Sequence, residues 1–184
     1  MGDDRLARGD WVKAGLKALA RDGASALKAD RLARELGVSR GSFYWHFADV
    51  EAFHRAVLEG WKAVAYEDIV ARLAQIEGDR LGALVSGALQ SDTKLEKAVR
   101  AWAAHDAAAR AMVKAVDARR IGYMEQELVA LGQARRTAGA RARVIYWTWL
   151  GSFLAGEAAP GQALDDVARE LLRLAQMDGK EGRR

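Results

Sequence analysis

Apolar residues recur three and four positions apart along most of the chain, and glycines or short polar residues interrupt the runs. Asp10 is placed to cap a first helix. Val12, Leu16 and Leu19 form its stripe, Arg21 sits in its last turn and Gly23 ends it. A second helix follows over about Ala29 to Leu36, with Leu32, Ala33 and Leu36 inward and Gly37 as its stop. Val38 is an apolar plug and Ser39 a natural cap for a third helix, in which Phe43 and Phe47 share one face. Asp49 caps a long fourth helix with the stripe Val50, Phe53, Val57, Trp61 and Val64, running to about Ile76 before Gly78.

Five more helices are expected beyond Gly78. The fifth carries Leu81, Leu84, Val85 and Leu89. The sixth, capped by Asp92, carries Leu95, Val99 and Trp102. The seventh runs from near Asp106 through Val113, Val116, Tyr123 and Leu131 to Gly132. The eighth spans roughly Thr137 to Ala158, and Pro160 separates it from a ninth with Leu164, Val167, Leu171, Leu172 and Leu174; "DGKEGRR" reads as a frayed tail. The expected fold is all-α, about nine helices, with a three-helix head and a helical bundle behind it.

Composition agrees with that pattern. Ala, Leu, Arg and Glu dominate the 184 residues, and Pro160 is the one proline. With no cysteine, disulfides, thiol catalysis and cysteine-ligated metals are excluded, and the histidines at 46, 54 and 105 lack metal-ligand spacing, so neither metal nor cofactor is expected. No apolar run approaches the roughly 20 residues a membrane span needs, and the N-terminus lacks a signal peptide's apolar core. A cytoplasmic protein without membrane contact is expected. Net charge is +4, yet basic and acidic residues nearly balance over the first 60 positions, so overall charge says little about a nucleic-acid partner.

Placement says more. The stretch "GVSRGSFYWHF", Gly37 to Phe47, joins two short helices at a tight turn, a helix-turn-helix arrangement. With Phe43 and Phe47 committed to packing, Arg40, Gly41, Ser42, Tyr44, Trp45 and His46 are left outward. That set suits a DNA groove. Ser39 and Ser42 sit where free backbone N–H groups favour phosphate. Arg40 can give guanine O6 and N7 two hydrogen bonds. Gly41 removes bulk, Tyr44 and His46 can donate to phosphate oxygens, and Trp45 can lie along the backbone or touch a thymine methyl.

Residues from about Asp10 to Trp61 resemble the N-terminal domain of the TetR family of bacterial transcriptional regulators. The phrase "LARELGVSRGSFYWHFADVEAF" carries the likeness, and the remaining two-thirds is similar only in size, helix order and a few phrases. The resemblance implies a DNA-binding domain over residues 1–49 and an effector-binding and dimerisation domain over 50–184. It also implies a homodimer paired through the eighth and ninth helices, a near-palindromic double-stranded operator and an unidentified small-molecule effector. A repressor released by a small apolar or aromatic ligand follows from family habit. Trp61, Tyr66, Trp102, His105, Met112, Tyr123 and Trp147 are the candidates for lining a ligand pocket. The same aromatics suit ordinary core packing, and His105 suits a helix start or the surface. "DARR", Asp117 to Arg120, reads as a solvated face with an i, i+3 pair.

Two positions depart from the family pattern: Val50 stands where a lysine is frequent, and Lys28 where a threonine is. Lys28 can supply a replacement cation near the second helix. A helical interaction protein with a degenerate helix-turn-helix is the first alternative, supported by Val50. A small helical enzyme is the second, although no Ser/His/Asp set, paired carboxylates or phosphate-cradling glycine loop stands at useful spacing.

Overall fold

The computed structural model describes residues 6–155 and 161–176, and all regular structure among them is helical. In chain order the elements are α1 (Arg8–Asp22), a 3-10 turn (Ala24–Ala26), α2 (Ala29–Glu35), α3 (Arg40–His46), α4 (Val50–Lys62), a π turn (Ala63–Glu67) and α5 (Asp68–Leu73). They continue with α6 (Arg80–Leu89), α7 (Lys94–Ala103), α8 (Ala107–Ala130), α9 (Arg135–Leu154) and α10 (Gly161–Gln176). Counting the unbroken run from α4 through the π turn to α5 as one, the described residues hold nine helices. The break expected at Pro160 and the expected tail lie outside the described residues. No helix among them is long and apolar enough to cross a membrane.

Local chemistry sets most of the boundaries. Asp49 caps α4 by accepting from the Ala52 N–H at 2.6 Å, and Asp106 accepts from the Ala109 N–H at 2.8 Å at the start of α8. Two expected caps are corrected. Asp10 lies inside α1 and reaches back to accept from the Ala7 N–H at 2.9 Å, so the helix begins earlier than its first apolar residue suggests. At α7 the capping position belongs to Thr93, not Asp92. Val64 is corrected too: it is exposed, and Ala65 is buried in its place. The π turn is the reason, because a wider turn breaks the 3.6-residue phase on which the stripe was read.

The packing forms two compact units. The first comprises the described residues of Met1–Glu67 with Thr93–Ala115, the second those of Asp68–Asp92 with Val116–Arg184. In the first, α1 packs on α4 and α7. The α1–α4 crossing is unusually close. A Cβ on Gly15 would stand 2.7 Å from Phe53 Cζ and 2.8 Å from Val57 Cγ2, and one on Gly60 would stand 2.6 Å from Val12 Cγ1. Each helix therefore leaves a notch for the other's bulk. Trp11, Leu19, Leu27, Leu32, Phe53 and Trp61 fill this unit's core. Glu96, buried on α7, is matched by Arg100 one turn later, with Nε at 2.9 Å and Nη2 at 2.8 Å from Oε1.

In the second unit α6, α9, α10 and the C-terminal part of α8 bury Leu81, Val85, Leu128, Ile145 and Leu171 among others. The Trp149 Nε1–H donates to the Ala88 carbonyl at 3.2 Å, and the Arg120 guanidinium lies 4.8 Å from the centre of the Trp149 ring. Asp117 and Arg120 approach to 3.9 Å, but on a largely buried face rather than a solvated one, because Trp149 covers Arg120. Gln133 and Arg141 both donate to the Ala175 carbonyl and hold the last turn of α10.

Candidate nucleic-acid interface

The turn between α2 and α3 is fixed by backbone hydrogen bonds. The Gly37 N–H donates to the Arg34 carbonyl at 3.2 Å and the Val38 N–H to the Ala33 carbonyl at 3.0 Å, the two bonds of a Schellman motif. Gly37 has φ of +67°, which only glycine adopts without strain. Ser39 follows at the capping position of α3 in extended conformation, with no side-chain capping bond, and the chain then turns into Arg40–His46.

An aromatic knot seats α3. Phe43, fully buried, meets Trp11 of α1, Tyr44, Phe47 and Phe53 of α4 at ring-centre distances of 5.2–5.3 Å, and three of these four contacts are edge-to-face. Phe47 packs 5.0 Å from Phe53, and the Arg8 guanidinium lies 5.0 Å from the Phe47 ring centre. The expected packing pair is thus joined by Trp11, a ring outside the stripe read for the first helix.

The opposite face is open. Trp45 is 83% exposed, Arg40, Gly41 and Tyr44 are exposed, and Ser42 and His46 are half-buried. Lys28 is exposed at the capping position of α2, and Ser39 is exposed at that of α3. Gly41 is informative. A Cβ there would meet only Ser39 Oγ, at an ordinary 3.6 Å, so nothing within the protein requires glycine at this position. A helical glycine costs about 1 kcal/mol against alanine.

Arg40 is not a free side chain. Its Nε stands 3.1 Å from Asp30 Oδ1 on α2, and its Nη2 donates to the Tyr44 hydroxyl at 3.1 Å. The hydroxyl, then the Asp30 carboxylate, hold the guanidinium's pKa above its ordinary value. The Tyr44 oxygen accepts this bond and keeps its own proton free to donate. A second ionic cluster braces α1 against α2: Arg21 reaches Asp22 at 2.6 Å and Glu35 at 2.7 Å, and Arg31 pairs with both carboxylates. Both acids are held below the usual carboxylate range, Asp22 chiefly by Arg21 and Glu35 chiefly by Arg31.

Sequence reasoning missed Trp11, Asp30 and the role of His54. The His54 Nε2 lies 3.0 Å from the Leu27 carbonyl, and its ring stands edge-on to Trp102 at 5.2 Å, which links α4 to the segment before α2 and to α7. No periodicity carries these contacts, because each joins residues from different elements.

The candidate pocket residues divide between the units. In the first, Trp61 and Trp102 are buried in packing, Tyr66 and Met112 are half-buried, and His105 is exposed in the turn after α7. In the second, Tyr123 is half-buried, whereas Trp147 is 60% exposed on the outer face of α9. His105 and Trp147 thus face solvent in the single chain. Among the described residues no group of three His, Cys, Asp or Glu side chains is placed to hold a metal.

A buried aromatic seat, a glycine-cornered turn and an outward arginine–aromatic face make up a helix-turn-helix. Residues 12–57, a quarter of the chain, match the family model described as bacterial regulatory proteins, tetR family. No curated protein matches the sequence. Solved structures share the whole fold. A transcriptional regulator from Rhodococcus sp. Rha1 is 20% identical, with a TM-score of 0.73 over 94% of this chain and 100% of its own. A transcriptional regulator from Saccharomonospora viridis, solved in complex with choline, is 16% identical, with a TM-score of 0.72 over 90% of this chain and 95% of its own. BioQ, solved with its double-stranded DNA operator, is 22% identical, with a TM-score of 0.52 over 94% of this chain and 99% of its own.

Proposed function

We propose that the protein is a ligand-responsive transcriptional regulator, a cytoplasmic repressor that a small apolar or aromatic molecule releases from its operator. The observation that carries this reading is the division of α3, which buries Phe43 completely while exposing Trp45, Arg40, Gly41 and Tyr44. Lys28, Ser39, Ser42 and His46 complete the face. The head of residues 1–49 reads DNA and residues 50–184 bind the effector and pair two copies; the regulator performs no catalysis. Support for a ligand comes from the choline bound to the Saccharomonospora viridis protein, and support for an operator from the duplex bound to BioQ.

Two copies pair through α9 and α10. Val144, Trp147 and Leu154 are exposed at spacings that put them on one face of α9, and Leu174 is exposed on α10. Trp147→Glu should turn a dimer into a monomer in sedimentation velocity at micromolar concentration, and an unchanged dimer would refute that interface. A two-fold pair presents two heads to successive major-groove faces, so the operator is near-palindromic. A ligand that prefers one position of α4 changes the spacing of the heads, and coupling of about 1–3 kcal/mol is typical.

Selection of bound duplexes from a random pool by the purified full chain tests the function. A palindromic consensus is expected, with affinity falling steeply as salt rises. A pool that stays random would favour a helical interaction protein, a reading supported by Val50 at the start of α4.

A further inference from the structure

We propose that Asp30 is a specificity-determining residue that touches no DNA: it holds the Arg40 guanidinium in place before binding, so that the group meets a base in one orientation. The proposal rests on the DNA-reading function above. Arginine alone is a poor selector, because its long stem samples many rotamers and its fork can approach guanine by either of two edges, Nε with one Nη or both Nη groups. Here the side chain is held from two helices. Asp30 Oδ1 on α2 is 3.1 Å from Nε, and the Tyr44 hydroxyl one turn along α3 is 3.1 Å from Nη2. The guanidinium carbon also lies 5.4 Å from the Tyr44 ring centre. Of its five N–H groups, one on Nη2 donates to Tyr44, while Asp30 draws the group to α2 through charge at Nε. Held by charge from α2 and by a hydrogen bond along α3, the guanidinium offers its remaining N–H groups to guanine O6 and N7 in one orientation.

The energetics favour positioning over stability. Arg40 and Asp30 are 62% and 63% exposed, and an ion pair so open to water contributes little to folding. A carboxylate on a face that meets a polyanion weakens attraction to every sequence alike. Its placement against the base-reading arginine, with the Schellman turn fixing α2 beside α3, exchanges general affinity for orientation. Ordering Arg40 before binding also removes part of the entropic loss on binding. The sequence hides this device: ten residues separate the partners, and each reads as an ordinary surface charge.

The test uses the full chain, the duplex selected by the wild type, and single base-pair variants of it. Arg40→Ala identifies the pair that Arg40 reads as the one whose penalty disappears. Asp30→Asn should then lower the penalty at that pair about threefold to tenfold, leave the others in place and raise affinity for random DNA. Asp30→Glu keeps the charge but misplaces it, and should lower the same penalty without the gain on random DNA. Melting temperatures verify that both variants fold. Unchanged penalties in Asp30→Asn, or a uniform change at every pair, overturn the positioning role while leaving the DNA reading intact. A wild type without sequence preference overturns both.

Discussion

Phe43→Ala should destabilise the first unit by about 3–5 kcal/mol and abolish specific DNA binding with it. The ring is fully buried and touches Trp11, Tyr44, Phe47 and Phe53, so its removal leaves a cavity that no neighbour can fill without breaking another edge-to-face contact. The α3 helix has only seven residues and cannot persist by propensity; tertiary packing holds it. Urea denaturation followed by tryptophan fluorescence measures the loss, since Trp11 reports directly on the knot. Trp45→Ala, on the exposed face, should stay within about 0.5 kcal/mol of wild type. A loss below about 1 kcal/mol for Phe43→Ala would mean that α3 is seated by something other than its rings.

Arg40→Ala should do the reverse. Stability is retained, because the side chain and its Asp30 partner are both largely open to solvent. Discrimination at one base pair per half-site should fall by about 1–3 kcal/mol, while binding to random duplex falls far less. Competition binding of the selected duplex against its single base-pair variants separates the two effects. An equal loss on every sequence would reassign Arg40 from base reading to phosphate contact, and would move the reading role toward Trp45 or Tyr44.

The helix-turn-helix was legible because its signals are local. Gly37 with its positive φ, the Asp49 cap and the four-residue spacing of Phe43 and Phe47 each act within a turn or two of chain. What escaped depends on partners distant in sequence or on breaks in the helical period. Trp11 finds its ring partner on α3, 32 positions later, and the first-helix stripe read through Val12 and Leu16 did not include it. Val64 was misplaced by a π turn that no residue type announces. Asp10 acts from inside its helix, and so looked like a cap set three positions too late. Trp147 and His105 read as pocket candidates by residue type alone, and exposure depends on the packed unit, which a single stripe does not report.

The paired notches at Gly15 and Gly60 bear on how movement passes through the head. Sliding α1 along α4 by even one residue's rise, about 1.5 Å, would drive Phe53 and Val12 out of their gaps and into side chains that have no room to yield. The two helices can therefore travel only as a single cogged piece. Because Phe53 also bears on the Phe43 ring, any displacement of α4 arrives at α3 as a change of position, with no slack at the crossing to absorb it.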